Sequence, residues 1–181
     1  MEYNMNKHRY YLDTNIFLDY IRRRDEDTIA FINNANAHNM ELVTSYLTYL
    51  EILDKECEDY FVQREFKNKK TFDVIRRNIY NRNLKKNELN LVTEKTTEIM
   101  GEISGMVQFT LFYLNDRGWG HAMELMSEIN LNSGDAVHLA TAIESECDVL
   151  LTKDQHFKRN AKEKIECMDI KGFKKQFLMQ K

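Results

Sequence analysis

The chain has 181 residues, of which 43% are hydrophobic and 30% are charged, and its formal net charge is −3. This balance is typical of one folded globular domain and excludes an intrinsically disordered chain. It also excludes a protein whose whole surface is basic, as in many nucleic-acid-binding proteins.

The sequence also bears on location and redox chemistry. No apolar run approaches the ~20 residues that a helix needs to cross a bilayer. The first ten residues, MEYNMNKHRY, are polar and charged where a secretory signal has an apolar core. Cys57, Cys147 and Cys167 form no CxxC pair, which argues against a disulfide framework or a thiolate zinc site. We therefore expect one cytoplasmic domain over residues 1–181, without membrane contact.

Four short segments have the apolar composition of strands: residues 9–12, 41–44, 148–152 and 165–170. Between these segments, apolar residues recur at the spacing of a helix. One begins after Ser45, a good N-cap, and another begins after Gly134, where Asp135 occupies a cap position. Because strands alternate with helices, the sequence predicts an α/β fold, in which a parallel sheet is covered by helices on both sides.

Residues 55–120 are predicted to be helical throughout, as an insertion or projecting arm between the second strand and the last two. The chain has no proline, and its six glycines all lie at or beyond residue 101, so the earlier part of this stretch contains no strong helix breaker. Within it, one helix is predicted from five residues at helical spacing, four of them apolar: Ile99, Ile103, Met106, Thr110 and Leu114.

Four acidic residues are predicted to meet at one edge of the sheet. Asp13 directly follows the first strand, and Asp154 lies two residues after the third. Ligands of open parallel sheets bind beyond the carboxyl ends of the strands. Glu51 lies within two turns of the start of a helix that leaves the same edge, and Asp135 begins the helix before the third strand.

Four ionised carboxylates at one place repel each other, so a site that holds them needs a compensating cation. Oxygen ligands without partnering cysteine or histidine favour Mg²⁺ or Mn²⁺ over zinc. Because Mg²⁺ commonly binds substrate phosphate oxygens, a phosphodiester is the expected substrate.

These residues resemble a known family. Asp13-Thr14-Asn15 after a strand, Ser45 followed by Glu51, the segment GDAVHLATA with Asp135 and the segment LTKDQHF with Asp154 occur in the order and context seen in PIN-domain nucleases, including VapC-type toxins of toxin-antitoxin pairs. The resemblance covers residues 9–53 and 131–157. Compact toxins of this type are shorter, and residues 55–120 match no motif of theirs.

The resemblance implies a three-layer α/β/α sandwich with a central parallel sheet, here with a helical insertion. It implies an endoribonuclease that uses one or two Mg²⁺ or Mn²⁺ ions, an RNA substrate and an antitoxin protein as partner. The implied metal ligands and catalytic residues are Asp13, Glu51, Asp135 and Asp154. By the same resemblance, four polar residues support this site: Thr14, Asn15, Ser45 and Thr152.

Residues 64–86 carry nine cations and two acids, a local excess of seven positive charges. A solvated helical face is one interpretation of such a run. The other is contact with RNA phosphates through Arg76, Arg77, Arg82, Lys85 and Lys86, with Phe72 and Tyr80 available to stack on bases.

Further residues near the acids are predicted to have ordinary structural roles. Asp19 is predicted to lie on a solvated helix face. His138 and His156 lack a second histidine at metal-ligand spacing, so each is predicted to be a packed or surface side chain.

The acidic residues also bear on two other possible functions. An aspartyl-phosphate phosphatase needs a second acid two residues after its nucleophile, and this chain has Asn15 there. A non-catalytic PIN-like RNA-binding or scaffold protein would be expected to lack some of the four acids. The apolar side of the segment EIMGEISGMVQFTLFYL leaves open a homodimer seam or a groove for an antitoxin helix.

Overall fold

A computed structural model of the protein describes residues 8–178. Within these residues the chain forms one sheet of parallel strands in the order β3-β2-β1-β4-β5. The strands are β1 (His8–Leu12), β2 (Met40–Ser45), β3 (Phe109–Phe112), β4 (Val149–Leu151) and β5 (Glu166–Met168). The four predicted strands correspond to β1, β2, β4 and β5.

Helices connect the strands and cover both faces of the sheet. They are α1 (Thr14–Ile21), α2 (Glu26–Asn34), α3 (Tyr46–Lys67), α4 (Phe72–Asn78), α5 (Lys86–Met106), α6 (Asp116–Ile129), α7 (Ser133–Glu144), α8 (Gln155–Asn160) and α9 (Ile170–Phe173). A 3₁₀ turn at Asn36–His38 precedes β2, and a π-helical turn at Lys174–Leu178 follows α9. None of the described helices is both long enough and apolar enough to span a bilayer.

The sheet separates two hydrophobic cores, because successive side chains of a strand point to opposite faces. On β1, Tyr10 and Leu12 belong to one core, which includes residues of α1, α2, α5 and α9. Tyr11 belongs to the other, which includes residues of α6, α7 and α8. Together these layers confirm the predicted three-layer α/β/α sandwich.

The prediction of helix throughout residues 55–120 is wrong in three places: residues 68–71 and 79–85 separate successive helices, and a strand follows α5. Helix α5 ends at Met106, and Phe109–Phe112 form β3, which pairs with β2 in parallel. Thr110 continues the spacing of the apolar residues before it, and this spacing alone predicts a helix. The aromatic and β-branched composition FTLF suits a strand, and pairing with β2 satisfies its backbone groups.

Candidate metal-binding and catalytic site

The four acidic residues come from four separate segments and line one cleft of about 540 Å³ at the carboxyl end of the sheet. Asp13 follows β1 and caps α1, and Asp154 caps α8 after β4. Glu51 lies on α3 and Asp135 on α7. The parallel strands make this convergence possible because their carboxyl ends share one edge.

Asp13 is the most constrained of the four, with a relative exposure of 7%. Its Oδ1 accepts a hydrogen bond from the backbone N–H of Thr14 at 2.6 Å. Its Oδ2 accepts from Thr152 Oγ1 at 2.6 Å and from Asn15 Nδ2. Burial raises the pKa of Asp13, although the His138 charge and the hydrogen bonds from Thr152 and Thr14 oppose this rise.

Glu51 is held from two sides through one carboxylate oxygen. Its Oε2 accepts a hydrogen bond from Thr14 Oγ1 and one from His138 Nε2 at 3.0 Å. Burial favours the neutral carboxyl, but the hydrogen bond and charge of His138 and the hydrogen bond from Thr14 outweigh it and lower the pKa of Glu51. Glu51 is therefore held as a carboxylate.

His138 is buried in the wall of the cleft, and its contacts with two of the acids go beyond the predicted role of an ordinary packed side chain. Its Nδ1 lies 2.7 Å from the Tyr11 hydroxyl, and its Nε2 lies 3.8 Å from Asp13 Oδ1. Burial disfavours its charged form, but Tyr11, Glu51 and Asp13 together raise the pKa of His138 to about 10. The ring is thus a cation at neutral pH, placed against two of the carboxylates.

Asp135 and Asp154 form the other side of the cleft. Burial raises the pKa of Asp135, and the nearby charges of Asp154 and Asp13 raise it further. The predicted cap position of Asp135 is wrong, because Asn132 caps α7 and Asp135 is its third residue. Two hydrogen bonds join Asn132 and Asp135: Asn132 Oδ1 accepts from the Asp135 backbone N–H at 2.9 Å, and Asn132 Nδ2 donates to Asp135 Oδ2 at 2.7 Å.

The side-chain oxygens provide a direct test of whether a hard divalent cation fits. Within the described part of the chain, three carboxylate oxygens of these four acids accept no hydrogen bond: Glu51 Oε1, Asp135 Oδ1 and Asp154 Oδ2. Asp13, Glu51 and His138 place one ligand-type atom each within 4.8 Å of one another, but His138 in its protonated form has no lone pair to offer a metal. Because His138 is protonated, it compensates charge, and the oxygen donors fit Mg²⁺ or Mn²⁺.

The sequence of this chain matches the PIN domain over residues 10–163, which is most of its length. The chain belongs to the PIN-domain family. Comparison with curated proteins finds no match.

This PIN domain is also similar in fold to solved structures. Two of them have a TM-score of 0.56: VapBC2 from Rickettsia felis bound to a DNA fragment from their promoter (14% identity, 89% of this chain and 98% of that chain) and FitAcB from Neisseria gonorrhoeae (13%, 89% and 97%). VapBC-1 from nontypeable Haemophilus influenzae has a TM-score of 0.54 (16%, 90% and 98%). At these identities the likeness shows a shared fold.

Residues predicted to support the site differ in how directly they contact it. Thr14, Asn15 and Thr152 contact the acids of this PIN domain through the hydrogen bonds described above. Ser45 caps α3 by accepting from the Thr48 N–H at 3.1 Å. Among the described residues, Ser45 connects to the cleft through Thr48, whose Oγ1 lies 3.5 Å from His138 Nδ1.

Asp19 does not lie on a solvated face, so that prediction is wrong. Its carboxylate is 15% exposed and pairs with Lys153 Nζ at 2.5 Å. The same ammonium contacts Asp25, which caps α2. Since Lys153 precedes Asp154, these pairs attach the β4–α8 loop to the junction of α1 and α2. His156 is more exposed, and its Nδ1 lies 3.7 Å from Asp135 Oδ2.

The cations predicted to contact RNA lie outside the acidic cleft. Arg76 and Arg77 are exposed on α4, and Lys85 and Lys86 are exposed at the start of α5. Arg82 is different, because its side chain is only 17% exposed and its guanidinium is bound to Asp54.

Proposed function

We propose that this PIN domain is a divalent-metal-dependent endoribonuclease that hydrolyses RNA phosphodiester bonds. The observation that carries the proposal is the convergence of Asp13, Glu51, Asp135 and Asp154 on one cleft, three of them with an unengaged carboxylate oxygen. Four carboxylates this close repel each other, and a folded protein tolerates that repulsion where a cation offsets it. These four residues would hold one or two Mg²⁺ or Mn²⁺ ions.

When bound, a divalent cation activates water at neutral pH and stabilises negative charge on the phosphate group. The chain itself supplies the fixed geometry. Thr152 and Asn15 fix Asp13 Oδ2, so this carboxylate cannot rotate freely. His138 and Thr14 fix Glu51 Oε2 in the same way and leave Oε1 unengaged. Because these oxygens are already oriented, rearranging them when the phosphate binds costs little free energy.

We further propose that the chain is the toxin of a toxin-antitoxin pair, with an antitoxin protein as partner. The support is the family together with the structures that are similar in fold, one of which is a toxin-antitoxin complex from Klebsiella pneumoniae (TM-score 0.51, 15% identity). A gene for a small antitoxin beside the gene for this chain is the expected genomic context.

A cleavage assay tests the enzymatic proposal. Purified protein is incubated with single-stranded RNA and Mn²⁺, and the rate is compared with that in EDTA and with that of Asp13→Asn. We expect cleavage to require Mn²⁺ and to fall by at least ~100-fold in the variant, because the buried ligand loses its charge. Asp116→Asn, which changes an exposed acid at the start of α6, is the matched control and should cleave normally.

The product ends provide a second readout. Hydrolysis by water leaves a 5′-phosphate and a 3′-hydroxyl and does not require the ribose 2′-hydroxyl, so a DNA strand of the same sequence is assayed beside the RNA. A 2′,3′-cyclic phosphate would refute the mechanism. Cleavage that survives Asp13→Asn would place the activity in another site or another protein, and absence of cleavage on every substrate would favour a binding or scaffold role.

A further inference from the structure

The basic segment, residues 64–86, contains two kinds of cation. Its two partly buried arginines, Arg64 and Arg82, make ion pairs with neighbouring acids. The other seven are exposed and make no ion pair within the described chain: Lys67, Lys69, Lys70, Arg76, Arg77, Lys85 and Lys86. The unpaired cations are therefore available to a partner.

The two paired arginines attach the basic segment to the body of the domain beside the acidic cleft. Arg82 donates to the backbone carbonyl of Asp54 at 2.6 Å and to its Oδ1 at 2.7 Å. Arg64 donates to the Arg82 carbonyl at 3.2 Å and to Glu88 Oε2 at 2.9 Å. Asp54 and Lys55 both line the cleft. Arg82 thus fixes its end of the basic segment beside the cleft that the four acids line, whereas Lys67 lies at the far end of α3.

Two aromatic side chains of the basic segment are directed into solvent. Phe72, at the start of α4, is 67% exposed, and Tyr80, after its end, is 94% exposed. Tyr80 lies two residues from Arg82, so its Cα is within about 7 Å of that anchored residue. Aromatic rings this exposed gain little from the protein's own core and can stack on the bases of a nucleic acid.

The charge of the basic segment is opposite to that of the rest of the chain. It carries nine cations and two acids, a net +7, whereas the whole chain carries −3, so the remainder carries −10. A polyanion is repelled by most of the protein and attracted to this surface. Electrostatic attraction of this kind directs a charged ligand to one place and speeds its association.

We propose that the basic segment binds single-stranded RNA, with phosphates against its unpaired cations and bases stacked on Phe72 and Tyr80, and directs the strand to the cleft. This inference rests on the proposed nuclease function. It assigns Arg82 to anchoring, and it requires a strand longer than the cleft itself. An acidic protein could pair with these cations, but its carboxylates would not stack on the two exposed aromatic rings. Single-stranded RNA offers both phosphates and bases.

Binding is measured without divalent cations, so that it does not depend on cleavage. A labelled single-stranded RNA is titrated with the full chain over a range of NaCl concentrations. In the triple variant Arg76→Gln, Arg77→Gln and Lys86→Gln, we expect the slope of log affinity against log salt to fall in magnitude by up to about 2, since each phosphate contact on a single strand contributes about 0.7. The matched control carries Lys162→Gln, Lys171→Gln and Lys175→Gln, which remove the same charge from exposed, unpaired positions elsewhere.

The aromatic part is tested with Phe72→Ala and Tyr80→Ala. Each should weaken RNA binding by roughly 5-fold or more, the lower end for loss of one stacked base, while leaving binding of poly-glutamate unchanged. Equal affinity and salt slope in the triple variant and its control would overturn the proposal. So would poly-glutamate binding as tight as RNA binding together with no effect of the aromatic substitutions. RNA binding that behaves as expected in a chain that cleaves nothing would refute the nuclease function alone.

Discussion

His138 places a positive charge 3.0 Å from Glu51 Oε2 and 3.8 Å from Asp13 Oδ1, in a cleft that gathers negative charge. Its ring is also held by the Tyr11 hydroxyl, so both its nitrogens have partners. In the absence of a divalent cation, this imidazolium compensates the two carboxylates. It explains how the protein can fold around the acids before a metal binds.

Replacement of His138 by Gln tests this compensation. Without divalent cations, the free energy of unfolding of the variant should be about 2 kcal/mol lower, because removing one partner leaves buried negative charge uncompensated. The loss is limited because Glu51 is partly solvated. Saturating Mg²⁺ should stabilise the variant more than the wild type, since the cation then replaces the missing charge. Urea unfolding with and without Mg²⁺ measures both effects.

The control for this comparison is His121→Gln. His121 also pairs with a glutamate, Glu144, at 3.0 Å, but both lie outside the acidic cleft. It should show a smaller loss of stability and no added response to Mg²⁺. An equal Mg²⁺ response in the two histidine variants would show that His138 does not offset the carboxylates.

At the residue scale, sequence reasoning reaches some of the site and misses the rest for a physical reason. Asp13 and Asp154 can be placed at the sheet edge because each follows a strand. His138 could have been noticed, since it lies three residues after Asp135 and so on a neighbouring part of the same helix face. The positive charge of His138 could not have been predicted from sequence, because its high pKa depends on contacts with Tyr11 and Glu51, which are distant in sequence.

At the element scale, one lysine connects the loop after β4 to the α1–α2 junction. Lys153 pairs with Asp19 and Asp25, and its backbone N–H donates to Asn15 Oδ1 at 3.0 Å. Asp154 follows immediately and caps α8. The position of this acid in the cleft therefore depends on ion pairs made by the preceding residue.

Asp25→Asn removes part of this connection and preserves a good N-cap. The hydrogen bond with Lys153 lowers the pKa of Asp25 in the folded state. Its contribution to stability is therefore complete above the unfolded value near 3.8 and is lost as the pH falls through the lower folded pKa. We expect the variant to be about 1 kcal/mol less stable at neutral pH, and the difference to disappear in acid.

Asp169→Asn is a closely matched control, because Asp169 also caps a helix, pairs with a lysine and has a lowered pKa. Both variants should show the same pH dependence of stability by thermal unfolding. Only Asp25→Asn should also weaken Mn²⁺ binding, because its lysine, Lys153, directly precedes Asp154 and ties the β4–α8 loop to α1 and α2 through its side chain. Lys158, the partner of Asp169, meets Asp154 through a backbone hydrogen bond, which Asp169→Asn leaves in place. Equal effects of both variants on Mn²⁺ binding would contradict the role of this connection.

Strand β3 shows why element prediction fails where a periodic pattern continues by chance. Thr110 and Leu114 extended the helical spacing of Ile99 and Ile103, and local sequence alone favoured one long helix. The structure ends that helix at Met106 and uses the next segment as an edge strand. What decides the matter is pairing with β2, a contact between residues more than sixty positions apart.

At the scale of the whole molecule, the fold brings acids from distant parts of the chain to one edge and a cationic segment to its border. Alternation of strands and helices was sufficient to predict the layers, since parallel strands need helical crossovers. The order of the strands in the sheet and the path of residues 64–86 could not be predicted from sequence, because both depend on packing between distant parts of the chain. That residues 55–120 are an insertion stays a prediction.

The central claim is that Asp13, Glu51, Asp135 and Asp154 act as one divalent-cation site, and calorimetric titration with Mn²⁺ tests it most directly. The wild type should bind Mn²⁺, and each of Asp13→Asn, Glu51→Gln, Asp135→Asn and Asp154→Asn should weaken binding by at least ~10-fold. Glu94→Gln, an exposed acid on α5, should bind as the wild type does. Unchanged Mn²⁺ affinity in Asp135→Asn and Asp154→Asn would contradict the claim.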